Sequence, residues 1–190
     1  METEEKINLL ARVAAHSAAN ADGGAQPVSI LTLAAASYGS RPSDEATVPT
    51  GFDPQACALF EAIVEGAYLV ASADGVVDEQ ERKTFEKVVT TACGGAVPPQ
   101  AISALVSDLG DQLAEDGLDA RVKAVAEHAH RPEHSREVLR IAALIAQVSE
   151  SVSAVEHDVL AKIAQACGMT AADVDIALAD VRAALAFEEG

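Results

Sequence analysis

The 190-residue chain has few aromatic residues: tryptophan is absent and the aromatic fraction is 3%. Its hydrophobic content, 49% of all residues, therefore comes mainly from alanine, leucine and valine. Such side chains suit closely packed helices better than a β-sandwich, whose strands are rich in aromatic and β-branched residues. The length is sufficient for one domain with a substantial core.

Basic residues are also scarce, because 13 Lys and Arg stand against 30 Asp and Glu, giving a formal net charge of −17. A surface of this sign repels phosphate backbones, so we expect no binding to nucleic acid. It attracts cations and basic protein partners, although solubility alone would also explain the acidic composition.

Cysteine is rare, and the three that occur, Cys57, Cys93 and Cys167, are not spaced as a metal-binding knuckle. Each lies within an apolar helical pattern, which predicts buried thiols in a reducing compartment. No apolar run approaches the length of a membrane span, and residues 1–6 lack the basic start of a signal peptide. These features predict a cytoplasmic protein that does not insert into a membrane.

One stretch is rich in proline and glycine: residues 39–54 hold three prolines and two glycines with little periodicity. A loop of this length is either mobile or functional. We interpret it as the boundary between an N-terminal helical extension with its linker, residues 1–50, and an all-helical domain, residues 51–190.

The hydrophobic spacing predicts helices on both sides of this boundary, and no segment has a convincing strand pattern. In the extension it predicts a helix over residues 4–20 and a short one over residues 27–37, with Pro27 in its first turn. In the domain, capping and breaking residues predict helices over about 53–73, 78–93, 98–115, 119–130, 153–167 and 170–187, and a long helix that begins at 131–132 and includes Ile145.

The domain contains an internal repeat, seen when the chain is compared with itself at an offset of 75 residues. Matching positions include Glu81 with Glu156 and Lys87 with Lys162. After one deletion, Cys93-Gly94 also aligns with Cys167-Gly168, and each pair ends the second helix of its half. The repeat predicts a bundle of two pseudo-symmetric helix–turn–helix halves. Packing about a two-fold axis would bring the two corners, residues 74–81 and 149–156, towards each other.

The first corner carries the clearest chemistry in the chain. Asp74-Gly75 predicts a helix end, and Asp78 with Glu81 predicts a capping box at the next helix start. The spacing also matches the second half of an EF-hand calcium loop. The first half fails, because the first ligand position falls on Val70. Any cation site would therefore need ligands from the second corner, for which Glu150 and Glu156 are candidates.

Two interpretations of the corner remain open. Helix capping alone explains Asp78 and Glu81, and a turn explains Asp74. Alternatively, the corners share a divalent cation, for which carboxylate oxygens would favour Ca²⁺ or Mg²⁺ over Zn²⁺. The candidate ligands are Asp74, Asp78, Glu81, Glu150 and Glu156.

Residues 67–82, Ala-Tyr-Leu-Val-Ala-Ser-Ala-Asp-Gly-Val-Val-Asp-Glu-Gln-Glu-Arg, resemble the signature of the TerB-like family of tellurite-resistance proteins. That family includes the N-terminal domain of a membrane-anchored DnaJ-type co-chaperone. The resemblance covers about residues 55–187. It implies an all-helical bundle of two halves with an acidic cluster between them, proposed as a metal site, and the matching residues here are Asp74, Gly75, Glu81 and Glu156. Ser149 departs from the pattern, because family members commonly carry a second acid there.

The resemblance implies a non-enzymatic stress-response protein that acts as a scaffold for protein partners. Another possibility is a metal-dependent hydrolase that uses the corner carboxylates. A third is a pure interaction module, in which residues 1–50 form a detachable partner-binding arm. His128, His130 and His134 could suggest a transition-metal site, but Pro132 interrupts them and a polar loop between helices explains them better.

Overall fold

The computed structural model describes residues 3–16, 28–41, 52–75, 77–148 and 152–188. Within these ranges the chain forms nine helices, and β-type pairing is limited to one isolated antiparallel bridge between His16 and Val28. The helices are α1 Thr3–Ala15, α2 Ile30–Gly39, α3 Pro54–Ala71, α4 Glu79–Ala92, α5 Pro99–Asp116, α6 Leu118–His128, α7 Pro132–Ala146, α8 Ala154–Ala166 and α9 Ala171–Glu188. The predicted all-α bundle is confirmed.

The helices of the domain lie where the sequence predicts them, but the start of α2 differs. It begins at Ile30, because the Ser29 side chain accepts a hydrogen bond from the Thr32 backbone N–H at 3.1 Å and caps the helix. The predicted start at Pro27 and the predicted residues 17–20 of the first helix lie outside the described residues. None of the described helices is both long and apolar enough to cross a membrane.

The core is built around α3 and α7, which correspond to each other in the internal repeat and pack together. Both are buried on most sides: Phe60 and Ile63 on α3 and Ala142 on α7 are completely inaccessible to solvent. Gly66 allows the close approach of the two helices, because a Cβ atom there would lie 2.8 Å from a methyl carbon of Val138.

The two N-terminal helices share this core, and a buried ion pair on α7 attaches both of them. Arg140 donates hydrogen bonds to the carbonyl oxygens of Val13 and Ala14, at the end of α1, at 2.9 and 3.0 Å. Its partner Glu137 accepts a hydrogen bond from the backbone N–H of Leu31, at the start of α2, at 3.1 Å. The domain boundary at residue 50 stays a prediction, but the described parts of α1 and α2 belong to the same hydrophobic cluster as the rest.

The remaining helices of the two halves take corresponding positions around the central pair. Helix α6 packs against α3 and α8, and α1 packs against α4, α7 and α9. Helices α4 and α5 follow α3 in the first half, as α8 and α9 follow α7 in the second. Residues at the ends of α3 and α7 and at the starts of α4 and α8 lie close enough together to line one cleft.

Candidate functional site

The first corner is formed by a helix end and a tight turn. Helix α3 ends at Ala71, and the backbone N–H of Ser72 still donates to the Tyr68 carbonyl at 2.9 Å. Gly75 has φ +148°, a conformation that residues with a Cβ rarely adopt, so glycine is required at this point of the turn. The predicted helix stop at Asp74-Gly75 is therefore confirmed.

A capping box begins α4, as predicted, and another begins α8. The Asp78 carboxylate accepts hydrogen bonds from the backbone N–H groups of Gln80 and Glu81 at 2.7 and 2.8 Å, and Glu81 accepts one from the Asp78 N–H at 2.8 Å. In the second corner, Ser153 accepts from the Glu156 N–H at 3.2 Å, and Glu156 accepts from the Ser153 N–H at 2.7 Å. Each of these Glu carboxylates therefore uses one oxygen to fix the start of its own helix.

The two corners line a single cleft with a volume of about 550 Å³, as the repeat predicts. Its apolar part consists of Ala71, Phe85, Ile145 and Val148, contributed by both halves. The Phe85 ring is held in place by an edge-to-face contact with Tyr68, with ring centroids 5.8 Å apart. The polar lining residues are Asp74, Asp78, Gln80, Glu81, Thr84, Ser153 and Glu156.

Four of the five predicted ligand residues lie together around this cleft, namely Asp74, Asp78, Glu81 and Glu156. The fifth, Glu150, lies outside the described residues, as does Ser149. Within the part of the chain that is described, no group of three or more His, Cys, Asp or Glu side chains is arranged to hold a metal ion. A cation site at the corners therefore stays a prediction.

Gln80 and Thr84 are cleft residues that the sequence reasoning missed. They lie four positions apart on α4, and Glu81 lies between them, so a helical-face analysis of α4 could have found them. The apolar lining residues Phe85 and Ile145 come from different halves, and only the tertiary arrangement brings them to the same cleft. Local sequence carries no signal for that arrangement.

The cleft carboxylates differ from the neighbouring acids in their ion pairs. Just outside the cleft, Glu79 pairs with Lys83 at 2.6 Å and Glu86 with Arg82 at 2.8 Å. The hydrogen bond from Lys83 also lowers the pKa of Glu79 below its ordinary value. In contrast, none of the four described cleft carboxylates forms an ion pair with any described Lys, Arg or His. Among the described residues, the four carboxylates therefore carry negative charge without an ion-pair partner, and the cation at the edge of the cleft is Lys6, whose ammonium donates a hydrogen bond to the Val148 carbonyl.

Only His130 of the three histidines lies in the loop between α6 and α7, so the prediction of a polar loop holds for that residue alone. His128 is the last residue of α6, and the partly buried His134 lies in the first turn of α7, where its ring centroid is 6.1 Å from that of His130. They belong to no metal-holding group among the described side chains.

The cysteines have the character of structural thiols. Cys57 and Cys93 are buried, Cys167 is partly buried, and all three are free. Burial raises the pKa of the Cys93 thiol to about 12, and burial also raises the pKa of Cys167. A raised pKa leaves almost no reactive thiolate at neutral pH, so Cys93 and Cys167 are not activated as nucleophiles.

With the cleft defined, a comparison with family models identifies the chain. The model described as tellurite resistance protein TerB matches residues 60–179, which include both corners and most of the helices that form the cleft. The chain belongs to the TerB family. No curated protein and no solved structure matches it. The TerB match leaves α1 and α2 outside its limits, although both helices pack into the same core.

Proposed function

We propose that this TerB-family chain is a non-enzymatic protein of the tellurite-resistance type, which acts in the cytoplasm as a scaffold for a protein partner. The cleft between the two corners is the recognition site in this proposal. Family membership supports the biological role. One structural observation carries the assignment of the site: four carboxylates line the cleft without an ion pair to any described basic side chain.

Unpaired charge of this kind contributes little to stability but strongly affects association. Complementary charges on a partner accelerate encounter and fix its orientation, whereas partners of like charge are repelled. The net charge of −17 acts in the same direction over a longer range. The apolar residues Phe85 and Ile145, at the base of the cleft, offer additional surface for an apolar group. We therefore expect a partner whose contacting surface is basic.

A divalent cation is a second candidate for the same site. Its oxygen ligands would come from Asp74, Asp78, Glu81 and Glu156, with Glu150 from the second corner, and they favour Ca²⁺ or Mg²⁺. The capping boxes commit one oxygen of Glu81 and one of Glu156 to backbone N–H groups. Such an ion would therefore retain several water ligands and bind weakly.

The alternative hydrolase function finds no supporting feature. A metal-dependent hydrolase needs a metal held by several ligands, an open coordination position and a nearby base. The described residues that line the cleft include no histidine and no cysteine, and Asp78, Glu81 and Glu156 belong to the capping boxes of their helices. We accordingly propose a binding role.

The site is tested by removing its charges while keeping its caps. Asp74→Asn, Asp78→Asn, Glu81→Gln and Glu156→Gln together preserve the capping hydrogen bonds, because Asn and Gln serve the same positions. The matched control neutralises four exposed acids away from the cleft: Asp111→Asn, Glu115→Gln, Glu127→Gln and Asp180→Asn.

Growth on tellurite is measured in a host that depends on this protein for resistance. We expect the cleft variant to lose resistance and to lose partners recovered by cross-linking, while the control retains both. Full resistance from a folded cleft variant would refute the assignment of the site.

A further inference from the structure

A second cavity lies between the end of α2 and helices α3, α5 and α6. Its volume is about 190 Å³, and it shares no lining residue with the cleft at the corners. The end of α2 and the three helices all contribute charged side chains to its lining, including Arg41, Glu61, Glu65, Asp108 and Arg121. A cavity of this size accommodates only a small molecule, and its lining requires that molecule to be polar.

The most unusual group in this cavity is the Glu65 carboxylate on α3. Glu65 is 6% exposed, and its Oε1 atom lies 2.6 Å from Nε of Arg121. Its second oxygen, Oε2, accepts no hydrogen bond from any described residue. Oε2 is not among the fully enclosed polar atoms that lack a partner, so water reaches it from the cavity, and an N–H donor of a bound molecule would replace that water.

The two arginines of the cavity supply hydrogen-bond donors and positive charge. Arg121 donates from Nε to Glu65 and from Nη1 to Asp116 at 3.1 Å, which leaves its Nη2 without a described acceptor. Arg41 donates from Nη1 to Glu61 at 2.9 Å, and its guanidinium lies 5.3 Å from the centre of the Tyr38 ring. A guanidinium has five N–H donors in a fixed plane, so both arginines retain donors for an anionic group.

We propose that this cavity binds a small zwitterion with one ammonium and one carboxylate group, the chemistry of a free α-amino acid. The ammonium donates to Glu65 and Asp108, and the carboxylate accepts from Arg41 and Arg121. A simple anion would be opposed by the three lining carboxylates. A bare metal ion is disfavoured because the described carboxylates are not grouped closely enough to hold one. This site is separate from the proposed partner-binding cleft.

The proposal is tested on the full chain by NMR titration of the backbone amides with glycine, L-lysine and L-glutamate. Ethylamine and acetate serve as probes that carry only one of the two charged groups. We expect at least one amino acid to bind with a Kd below about 1 mM and to shift the amide signals of Arg121 and Ala124. We expect ethylamine and acetate to bind at least about tenfold more weakly, since each satisfies one half of the site.

Two variants connect any binding to the cavity. Ala124→Leu places a larger side chain at the partly exposed wall of the cavity without changing charge, and Asp108→Asn removes an exposed carboxylate that has no described ion pair. We expect each to weaken binding at least about tenfold. Asp111→Asn, an equal change on the same helix but outside the cavity, should leave the Kd unchanged.

Several results would overturn the proposal. One is the absence of binding by all three amino acids at about ten times the expected Kd. Another is binding that persists in Ala124→Leu, which would place the ligand elsewhere. Acetate or ethylamine binding as tightly as the best amino acid would identify a simple anion or cation site instead.

Discussion

Lys87 and Lys162 occupy corresponding positions on α4 and α8, and each forms an ion pair with the N-terminal end of a neighbouring helix. Lys87 Nζ lies 2.8 Å from Glu4 on α1, and Lys162 Nζ lies 2.6 Å from Asp119 on α6. Exposed pairs of this kind add little stability. Their correspondence nevertheless identifies α1 as the counterpart of α6.

The buried residues of the two helices support this correspondence. At the offset of 115 residues that relates Glu4 to Asp119, three buried positions coincide: Ile7 with Val122, Leu10 with Val125 and Ala14 with Ala129. The repeat therefore includes α1, and α2 is an additional helix inserted before α3. A comparison at the single offset of 75 residues cannot detect α1, because α2 and its flanking segments change the spacing.

If α1 is part of the repeat, its core residues should contribute as much to the free energy of unfolding as those of the domain. Leu10 is 1% exposed, and we expect Leu10→Ala to lower the free energy of unfolding by about 2–5 kcal/mol. The matched control is Leu33→Ala on α2, because Leu33 is 63% exposed and its truncation leaves no cavity. Urea denaturation of both variants measures the difference.

The competing hypothesis of a detachable arm makes the opposite prediction. Under that hypothesis, Leu10→Ala would be as mild as Leu33→Ala, and deletion of residues 1–50 would leave the unfolding midpoint unchanged. We expect the deletion instead to prevent cooperative unfolding, because it removes the carbonyl acceptors of Arg140 and exposes the surface under α1.

The sequence predicted those features that depend on short spacings along one helix. Asp78 and Glu81 are three residues apart, so the capping box and the corner could be recognised directly. The pair between Glu65 and Arg121 spans 56 residues, and it forms only when α6 packs against α3. The second cavity and the apolar base of the cleft are tertiary features of the same kind, which explains why no local pattern indicated them.

At the first corner, the contribution of helix capping to stability can be separated from the contribution of negative charge. We expect Asp78→Ala to destabilise the protein by about 1 kcal/mol, because the N–H groups of Gln80 and Glu81 lose their acceptor. Asp78→Asn should cost much less, since Asn caps helices nearly as well. Urea midpoints of the two variants provide the measurement. Equal destabilisation by Ala and Asn would show that the negative charge, rather than the hydrogen bonds, is the important property.

Calcium binding at the cleft predicts a metal-dependent melting temperature. A ligand that binds only the folded state stabilises it increasingly as its concentration exceeds its Kd, so a titration with Ca²⁺ well above the weak Kd expected here should raise the Tm measurably. Combining Asp74→Asn with Glu81→Gln should remove this shift and leave the Tm without metal almost unchanged. The pair Asp111→Asn with Glu115→Gln, on exposed positions of α5, should retain the shift.

The same experiment distinguishes a specific ion from a general effect of charge. If the α5 control loses the Tm shift to the same extent, Ca²⁺ acts by screening the net charge of −17 and occupies no site at the corners. If the wild-type protein shows no response, capping alone explains Asp78 and Glu81.

Because His134 is partly buried, we expect the protein to lose stability in mild acid. Burial lowers the pKa of His134 below its ordinary value of 6.5, opposed by Glu133 and assisted by Arg131 and His130. Its buried Nδ1 has no hydrogen-bond partner among the described residues, so protonation would add a charged donor with no acceptor.

The sign of the effect follows from the direction of the shift. Because the folded protein binds this proton less readily than the unfolded chain, His134 contributes stability above the unfolded pKa, and the contribution is lost as pH falls through the lower folded pKa. As the pH falls from about 7.5 to 5, we expect the wild type to lose stability relative to His134→Asn, as measured by urea midpoints. The exposed His128→Asn is the control, and a pH dependence that it shares with His134→Asn would not be attributable to the burial of His134. A difference for His134→Asn that increased on acidification would mean that the imidazolium gains a partner in the folded state, contrary to its unpaired Nδ1.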